Sequence, residues 1–257
     1  MNEILYKLIH HKSYRMHFLN SDFVKINISK ELIPDLLTID KEQLIASSER
    51  VANKLLFGDH QGGRGLKSIF NDTLTAWELQ NQRNCMELIF DFLESSEFEK
   101  YQEVPFTDSG SVICIEQAFY EFINLNHWNK SNPLEGLVRN EFLINTFKTL
   151  STCKTPNFYL DPSFIKKNKN CFYSVQIYEY KLNGNTIEQI PHYILYASTK
   201  NKLISGEISA LIADILYYEN SNPIDKMGGL VKKYKVSINE YLNTCKKLKD
   251  MGILGND

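Results

Sequence analysis

The chain has 257 residues, of which 43% are hydrophobic and 23% are charged, with only 12 glycines and 7 prolines. This composition excludes a disordered or fibrous protein, because it supplies enough apolar side chains for one large or two small packed cores. The longest apolar runs are about five residues, far below the roughly 20 that a membrane-spanning helix needs, and the N-terminus has no apolar stretch of a signal peptide. We therefore expect a soluble, cytoplasmic protein.

Charge is distributed unevenly along the chain. Residues 1–150 hold 15 basic and 21 acidic side chains, whereas residues 151–257 hold 14 basic and 10 acidic ones. This asymmetry suggests two parts with different partners. The five cysteines are at least 18 residues apart, so they form no Cys-x-x-Cys zinc pair, and their odd number argues against a disulfide framework. We expect reduced thiols, several of them buried.

Residues 1–155 are predicted to form a mainly helical domain with one N-terminal strand. Alternating apolar and polar side chains over 23–28 predict the strand. Apolar positions three and four residues apart predict a helix over 40–57, with Asp40 as its cap. The same spacing predicts further helices over 66–77, 86–93, 111–126 and 134–150.

Residues 156–257 are predicted to form a second domain after a loop-like connection. Aromatic and β-branched runs predict three strands, over 172–180, 192–198 and 202–204. Three helices are expected next. The first would be capped by Ser205, the second would follow Pro223, and the last would run from the capping box of Ser237 and Glu240 to Gly252.

The predicted fold class is therefore α+β. A mostly helical N-terminal domain is followed by a small three-stranded antiparallel sheet with a winged-helix-like three-helix module. Strands followed by three helices, with a tight turn between the second and third helices, are typical of that module.

Motifs of self-sufficient catalysis are missing from the chain. It contains no Gly-x-Ser-x-Gly, no His-Glu-x-x-His and no catalytic cysteine signature, and its six histidines fall into no metal-ligand spacing. We therefore predict no catalytic residue and no metal site. A weaker alternative is a stand-alone enzyme whose site is assembled from scattered residues such as Asp59, His60 and Arg64.

The last two predicted helices are basic, as a helix-turn-helix on DNA would be. Their lysines are Lys226, Lys232, Lys233, Lys235, Lys246, Lys247 and Lys249. The last helix has no arginine to read bases, and its first turn would carry Glu240 towards any DNA. A winged-helix DNA-binding regulator is accordingly the runner-up function.

A module of this kind can also bind an extended peptide. The peptide adds a strand to a free sheet edge, and a groove between that edge and the last helix selects its side chains. The predicted peptide-binding residues are Lys202, Leu203, Ile204, Tyr241, Cys245 and Leu248. The alternative for each is that it closes the domain core, which we expect for Leu248.

Several segments resemble one family. The segments 192–196, 202–211 and 251–254 are similar in order and pattern to the C-terminal domain of HvfC-like proteins, the partner subunits of TIM-barrel, multinuclear-iron peptide-modifying enzymes. They are also generally like the leader-peptide recognition domains of ribosomal-peptide pathways. Within this group, the segments 23–29 and 92–98 resemble the MbnC-type subunits of methanobactin biosynthesis.

The resemblance implies a function for the chain. It implies a non-catalytic subunit that forms a heterodimer with an iron-dependent, MbnB-like oxidase and holds the leader of an MbnA-like precursor peptide. The oxidase would use O2 to convert a peptide cysteine into an oxazolone and an adjacent thioamide. The iron would belong to the partner, so no cofactor and no metal ligand is expected in this chain, and no membrane partner is expected.

Overall fold

The computed structural model describes residues 1–58, 64–102, 111–126, 133–152, 165–167, 171–183, 186–199, 202–218 and 223–254. The chain is a mixed α+β protein that divides into two compact units. The first comprises Met1–Phe106 and Ser111–Lys130, and the second comprises Thr107–Gly110 and Ser131–Asp257. This division lies before the helix predicted over 134–150, whereas the sequence analysis placed the boundary between residues 155 and 156.

The described elements of the first unit are helices. In chain order they are α1 (Asn2–His10), α2 (Lys12–Leu19), α3 (Ile33–Leu36), α4 (Lys41–Phe57), α5 (Leu66–Ile69), α6 (Asn71–Asn81), α7 (Cys85–Leu93), α8 (Ser96–Gln102) and α9 (Ser111–Asn126). The predicted cap of α4 is confirmed, because the Asp40 carboxylate accepts from the N–H groups of Glu42 and Gln43 at 2.9 and 3.1 Å. The single helix predicted over 66–77 is instead divided at Phe70.

Aromatic rings hold the later helices of the first unit together. The Phe92 ring lies 5.2 to 5.3 Å from the rings of Phe98, Phe119 and Phe122, which come from α8 and α9. Such tilted and edge-on ring pairs add to the free energy of apolar burial. A second apolar cluster joins α1 to α4 and includes Leu8, Phe18, Ile26, Ile28, Leu36 and Leu44.

The strand predicted over 23–28 is wrong, because these residues form turns. The N–H groups of Asn27 and Ile28 donate to the carbonyls of Val24 and Phe23, at 3.3 and 3.2 Å. Asn27 has a φ of 50°, a left-handed conformation that a strand does not contain. The predicted alternation of burial is partly real, since Ile26 and Ile28 are buried and Asn27 between them is exposed, but a turn produces it, and Val24 is 95% exposed.

The second unit contains a sheet and the remaining helices. In chain order its described elements are α10 (Pro133–Thr152), β1 (Lys166–Lys167), β2 (Phe172–Tyr178), β3 (Lys181–Asn183), β4 (Thr186–Glu188), β5 (His192–Thr199), β6 (Lys202–Ile208), α11 (Ala210–Tyr217), α12 (Pro223–Tyr234) and α13 (Ile238–Asp250). The sheet is antiparallel with the order β1-β2-β5-β6, and β3 pairs with β4 in a separate hairpin. It therefore has four strands rather than the predicted three, because the two-residue β1 adds to the edge of β2.

Helices cover both faces of this sheet. The side chains of Tyr178 and Tyr196 point to the face that packs on α10, together with the buried Leu143 and Phe147. The other face packs on the later helices, and its buried residues are Tyr173, Leu195, Ala197, Leu211, Ile215, Leu216, Tyr241 and Leu248. Alternation along each strand divides the side chains between the two faces, and α10 belongs to the second unit because it covers one of them.

Polar contacts also join α10 to the sheet. The Tyr196 hydroxyl donates to Asn140 Oδ1, and it lies 2.8 Å from the hydroxyl of Tyr178. Burial raises the pKa of Tyr196, so its hydroxyl keeps the proton that it donates. The Arg139 guanidinium stacks 4.7 Å from the centre of the Tyr178 ring and donates to the carbonyl of Ile177 at 3.0 Å.

The helix cap predicted at Ser205 is wrong. Ser205 lies inside β6, opposite Tyr196, and the strand continues to Ile208. The cap of α11 is Ser209, whose hydroxyl accepts from the N–H of Ile212 at 3.4 Å. Pairing with β5 extends the strand past the first serine, so the second serine begins the helix.

Both predicted ends of the last helix are confirmed. Ser237 and Glu240 form a reciprocal capping box at the start of α13. Gly252 has a φ of 74°, and its N–H donates to Lys249, while the N–H of Ile253 donates to Leu248. These two bonds form a Schellman motif, for which glycine is the favoured residue.

Candidate functional site

The strand β6 lies at an edge of the sheet. All seven of its residues pair with β5, from Lys202 opposite Thr199 to Ile208 opposite Tyr193. Within the described residues it pairs with no second strand. Its other side therefore presents main-chain N–H and C=O groups that an added strand could bond.

The middle of this edge is accessible. Ser205, Gly206 and Glu207 are exposed, and Lys202 is exposed at the start of the strand. A Cβ placed on Gly206 would have no described atom within 4 Å. The exposure of these four residues leaves the edge of β6 accessible to an extended segment.

The predicted strand residues of the peptide site lie on opposite faces of the sheet. Ile204 packs against the cluster that includes α11 and α13, whereas Leu203 packs against the cluster on the α10 side. Only Ile204 thus shares a face with the last helix. The predicted groove requires both on one face, which the alternation of adjacent residues in a strand does not permit.

The predicted helix residues of the site lie mostly in the core. Tyr241 is 2% exposed and Leu248 is 4% exposed, so the expectation that Leu248 closes the core is confirmed and Tyr241 does the same. Cys245 is half-buried beside them. Burial raises the pKa of the Tyr241 hydroxyl to about 12, and it raises the pKa of the Cys245 thiol against the opposing effect of the Tyr241 hydrogen bond. Both groups are therefore protonated near neutral pH.

Two accessible apolar residues of α13 were missed by the sequence analysis. Ile238 is 54% exposed and Leu242 is 50% exposed. They are four residues apart and so lie on one side of the helix. The signal was an excess of apolar positions in α13, more than one core-facing stripe requires, but sequence alone did not show which stripe faces the core.

A cleft of about 280 Å³ lies between the edge of β2 and α11. Its polar lining includes Gln176, Tyr193 and Asp214. Burial by itself would raise the pKa of Asp214, but hydrogen bonds from Lys233 at 2.7 Å and Tyr234 at 2.6 Å outweigh it and lower that pKa. Asp214 is therefore an ionised link between α11 and α12.

Of the three residues named for a stand-alone enzyme, one lies in the part of the chain that the structure describes. Asp59 and His60 lie outside the described residues, and Arg64 is exposed. Among the residues described, no group of three or more His, Cys, Asp or Glu side chains could hold a metal ion. Cys85 and Cys171 are buried and form no disulfide bond with a described residue. No helix in the described part of the chain is both long and apolar enough to cross a membrane.

A comparison of the chain with protein-family models, curated proteins and solved structures found no match.

Proposed function

We propose that this chain is a non-catalytic, peptide-binding subunit. It adds an extended leader segment of a precursor peptide to the edge of β6 and presents that peptide to an iron-dependent oxidase. The observation that carries the proposal is the exposed edge strand, because main-chain bonding to an open edge is a general way to hold a peptide.

The order of elements around the edge supports this proposal. The antiparallel strands β2, β5 and β6 are followed directly by α11, α12 and α13. We propose that these elements form a winged-helix-like module. In such a module the bound peptide would place alternate side chains beside Ile204 and Ile208, which are half-buried on the face that packs on the helices.

The chemistry belongs to the partner in this proposal. The partner is a TIM-barrel, multinuclear-iron oxidase of the MbnB type, which uses O2 to convert a cysteine of the peptide into an oxazolone and an adjacent thioamide. The partner supplies the iron ligands, and this chain supplies the leader-binding edge. The basis for naming this class of partner is the family resemblance of the segments 23–29, 92–98, 192–196, 202–211 and 251–254.

A DNA-binding regulator is the second candidate, favoured by the exposed lysines of α12 and α13. A carboxylate weakens it. The Glu240 side chain accepts from the N–H of Ser237 at 2.8 Å, and this bond lowers the pKa of Glu240, so a negative charge lies at the start of the would-be recognition helix. Steeply salt-dependent affinity for duplex DNA would favour the regulator.

Mild affinity purification from the native host, with metal analysis, tests the subunit proposal. We expect a stoichiometric partner that contains more than one iron ion, and we expect the pair to bind a short peptide encoded beside the two genes. Recovery of the chain alone, or with DNA, would contradict the proposal.

A proline scan tests the β6 edge itself. Neighbouring residues of a strand direct their N–H groups to opposite sides of the strand. Of the two variants Ser205→Pro and Gly206→Pro, one therefore removes a hydrogen bond to β5, and the other, the outward variant, removes an N–H group that points to the open edge. We expect the outward variant to keep its stability and to lose about tenfold or more in peptide affinity. Unchanged affinity in that variant would rule out strand addition at this edge.

A further inference from the structure

The helix α13 carries an apolar side that its own unit does not cover. Ile238 and Leu242 are each about half exposed, and Cys245 continues their line towards the core. Lys249 comes four residues after Cys245 on the same side of the helix. A narrow apolar stripe thus ends at a lysine.

The part of the chain that contains this stripe is rich in positive charge. Residues 227–254 contain six lysines and two acidic residues, whereas the whole chain has a formal charge of −2. Lys246 and Lys247 are exposed on α13 and form no ion pair with any described residue, and the same holds for Lys232 and Lys235. Lys246 is four residues after Leu242 on α13, so positive charge with no described counterion lies beside an accessible aliphatic side chain.

The acidic groups of this region have other roles or lie at the end of the helix. Glu240 is held in the capping box, and Asp250 is the last residue of α13. Lys233 is the lysine with a carboxylate partner, Asp214, at 2.7 Å. Lys232, Lys235, Lys246 and Lys247, which form no ion pair with a described residue, are available to a partner.

We infer that the stripe of Ile238 and Leu242, with the flanking Lys246, is a docking surface for an acidic segment of a protein that carries aliphatic or aromatic side chains. Complementary charge would speed the encounter, and the two aliphatic residues would supply burial at the centre of the contact. This surface uses no residue of β6, so the inference is independent of strand addition.

A protein segment fits this surface better than nucleic acid does. Phosphates gain little from two exposed aliphatic side chains, whereas leucine or phenylalanine side chains of a partner would bury them. The first-turn N–H groups of α13, which could otherwise bind a phosphate, are capped by Ser237 near the negative Glu240.

Fluorescence anisotropy of the full chain with defined probes tests the inference. The first probe is a labelled peptide of about 14 residues, in which glutamates alternate with pairs of leucines. The second replaces glutamate by glutamine, the third replaces leucine by serine, and the fourth is a labelled DNA duplex. We expect the first probe to bind at least about tenfold more tightly than each of the others, and more weakly as salt is raised.

Two pairs of variants identify the surface. Leu242→Ser and Lys246→Glu should each weaken binding of the first probe by about tenfold. The controls Leu79→Ser and Lys30→Glu change exposed residues of the first unit and should leave the affinity unchanged. Leu242 is half exposed, so its variant should fold, and circular dichroism verifies this.

The inference is overturned if the first probe does not bind, or if the glutamine or serine probe binds equally well. Equal losses in the α13 variants and the control variants would also overturn it. Tighter binding of the DNA duplex would assign the surface to nucleic acid instead.

Discussion

Removing one buried hydroxyl, in Tyr196→Phe, should destabilise the second unit. Tyr196 is fully buried, and its hydroxyl bonds both Tyr178 and Asn140. Each neutral hydrogen bond contributes about 1 kcal/mol net, and an acceptor left without its donor adds to the loss. Because Asn140 is only half-buried, water can partly replace the lost donor. We therefore expect a loss of about 2 kcal/mol in the free energy of unfolding.

Urea denaturation followed by far-UV circular dichroism measures this change, with hydrogen exchange of β2 and β5 to locate it. Tryptophan fluorescence is unsuitable, because both tryptophans belong to the first unit. Tyr217→Phe is the control, since Tyr217 is 70% exposed, and it should change stability by less than about 0.5 kcal/mol. In a double-mutant cycle, Tyr178→Phe should show a coupling energy of about 1 kcal/mol with Tyr196→Phe. Additive effects, or an unchanged Tyr196→Phe variant, would refute the hydrogen-bonded cluster.

Three further predictions concern the helix ends and one histidine. Ser237→Ala removes the cap of α13 and should cost about 1 kcal/mol in urea denaturation, whereas the exposed Thr38→Ala should cost less. Lys235→Gly should stabilise the second unit by about 0.5 to 1 kcal/mol, because Lys235 lies between α12 and α13 with a left-handed φ of 52°, which glycine adopts without strain. A loss of stability in this variant would contradict that reasoning. Burial lowers the pKa of His10 below its ordinary 6.5. The stability that the neutral His10 side chain contributes is therefore fully present above pH 6.5 and is lost as the pH falls through the lowered pKa. Between about pH 7.5 and 5, the free energy of unfolding should therefore change less with pH in His10→Phe than in the unaltered chain, as measured by tryptophan fluorescence. An equal change in both proteins would contradict this assignment.

Local signals made parts of the fold predictable. The capping box of Ser237 and Glu240 and the glycine at 252 each act within a few residues, so they define both ends of α13 from sequence alone. Asp40 defines the start of α4 in the same way. Apolar spacing predicted α9 at its observed bounds, 111–126, because burial against neighbouring helices follows the helical period.

Long-range pairing made other parts unpredictable. Ser205 has the sequence context of a helix cap, but pairing with β5 keeps it in a strand, and the cap is Ser209. The alternation over 23–28 resembles a strand, yet no neighbouring strand is described there and turns produce the burial pattern. Likewise, the spacing of apolar residues in α10 predicts a helix, but it does not indicate that the apolar side of this helix packs on a sheet whose strands come later in the chain.

The sequence predicted the location of the candidate site, at the edge of the sheet, but did not predict which side chains are accessible there. The short strand at 202–204 indicated an edge, and the structure contains that edge in the longer β6. Which residues of α13 face the core depends on the rotation of the helix against the sheet. Tyr241 is therefore in the core, and Leu242, its neighbour in sequence, is exposed.

The central claim is that a peptide adds to β6, and hydrogen exchange with mass spectrometry tests it most directly. The full chain is measured alone and with the candidate precursor peptide of the proposed function, and exchange is resolved at residues 202–208. The account predicts that outward amides of β6 exchange at least about tenfold more slowly with the peptide, while amides that already bond to β5 change little. Slower exchange confined to α12 and α13, or no change in β6 at saturating peptide, would contradict it.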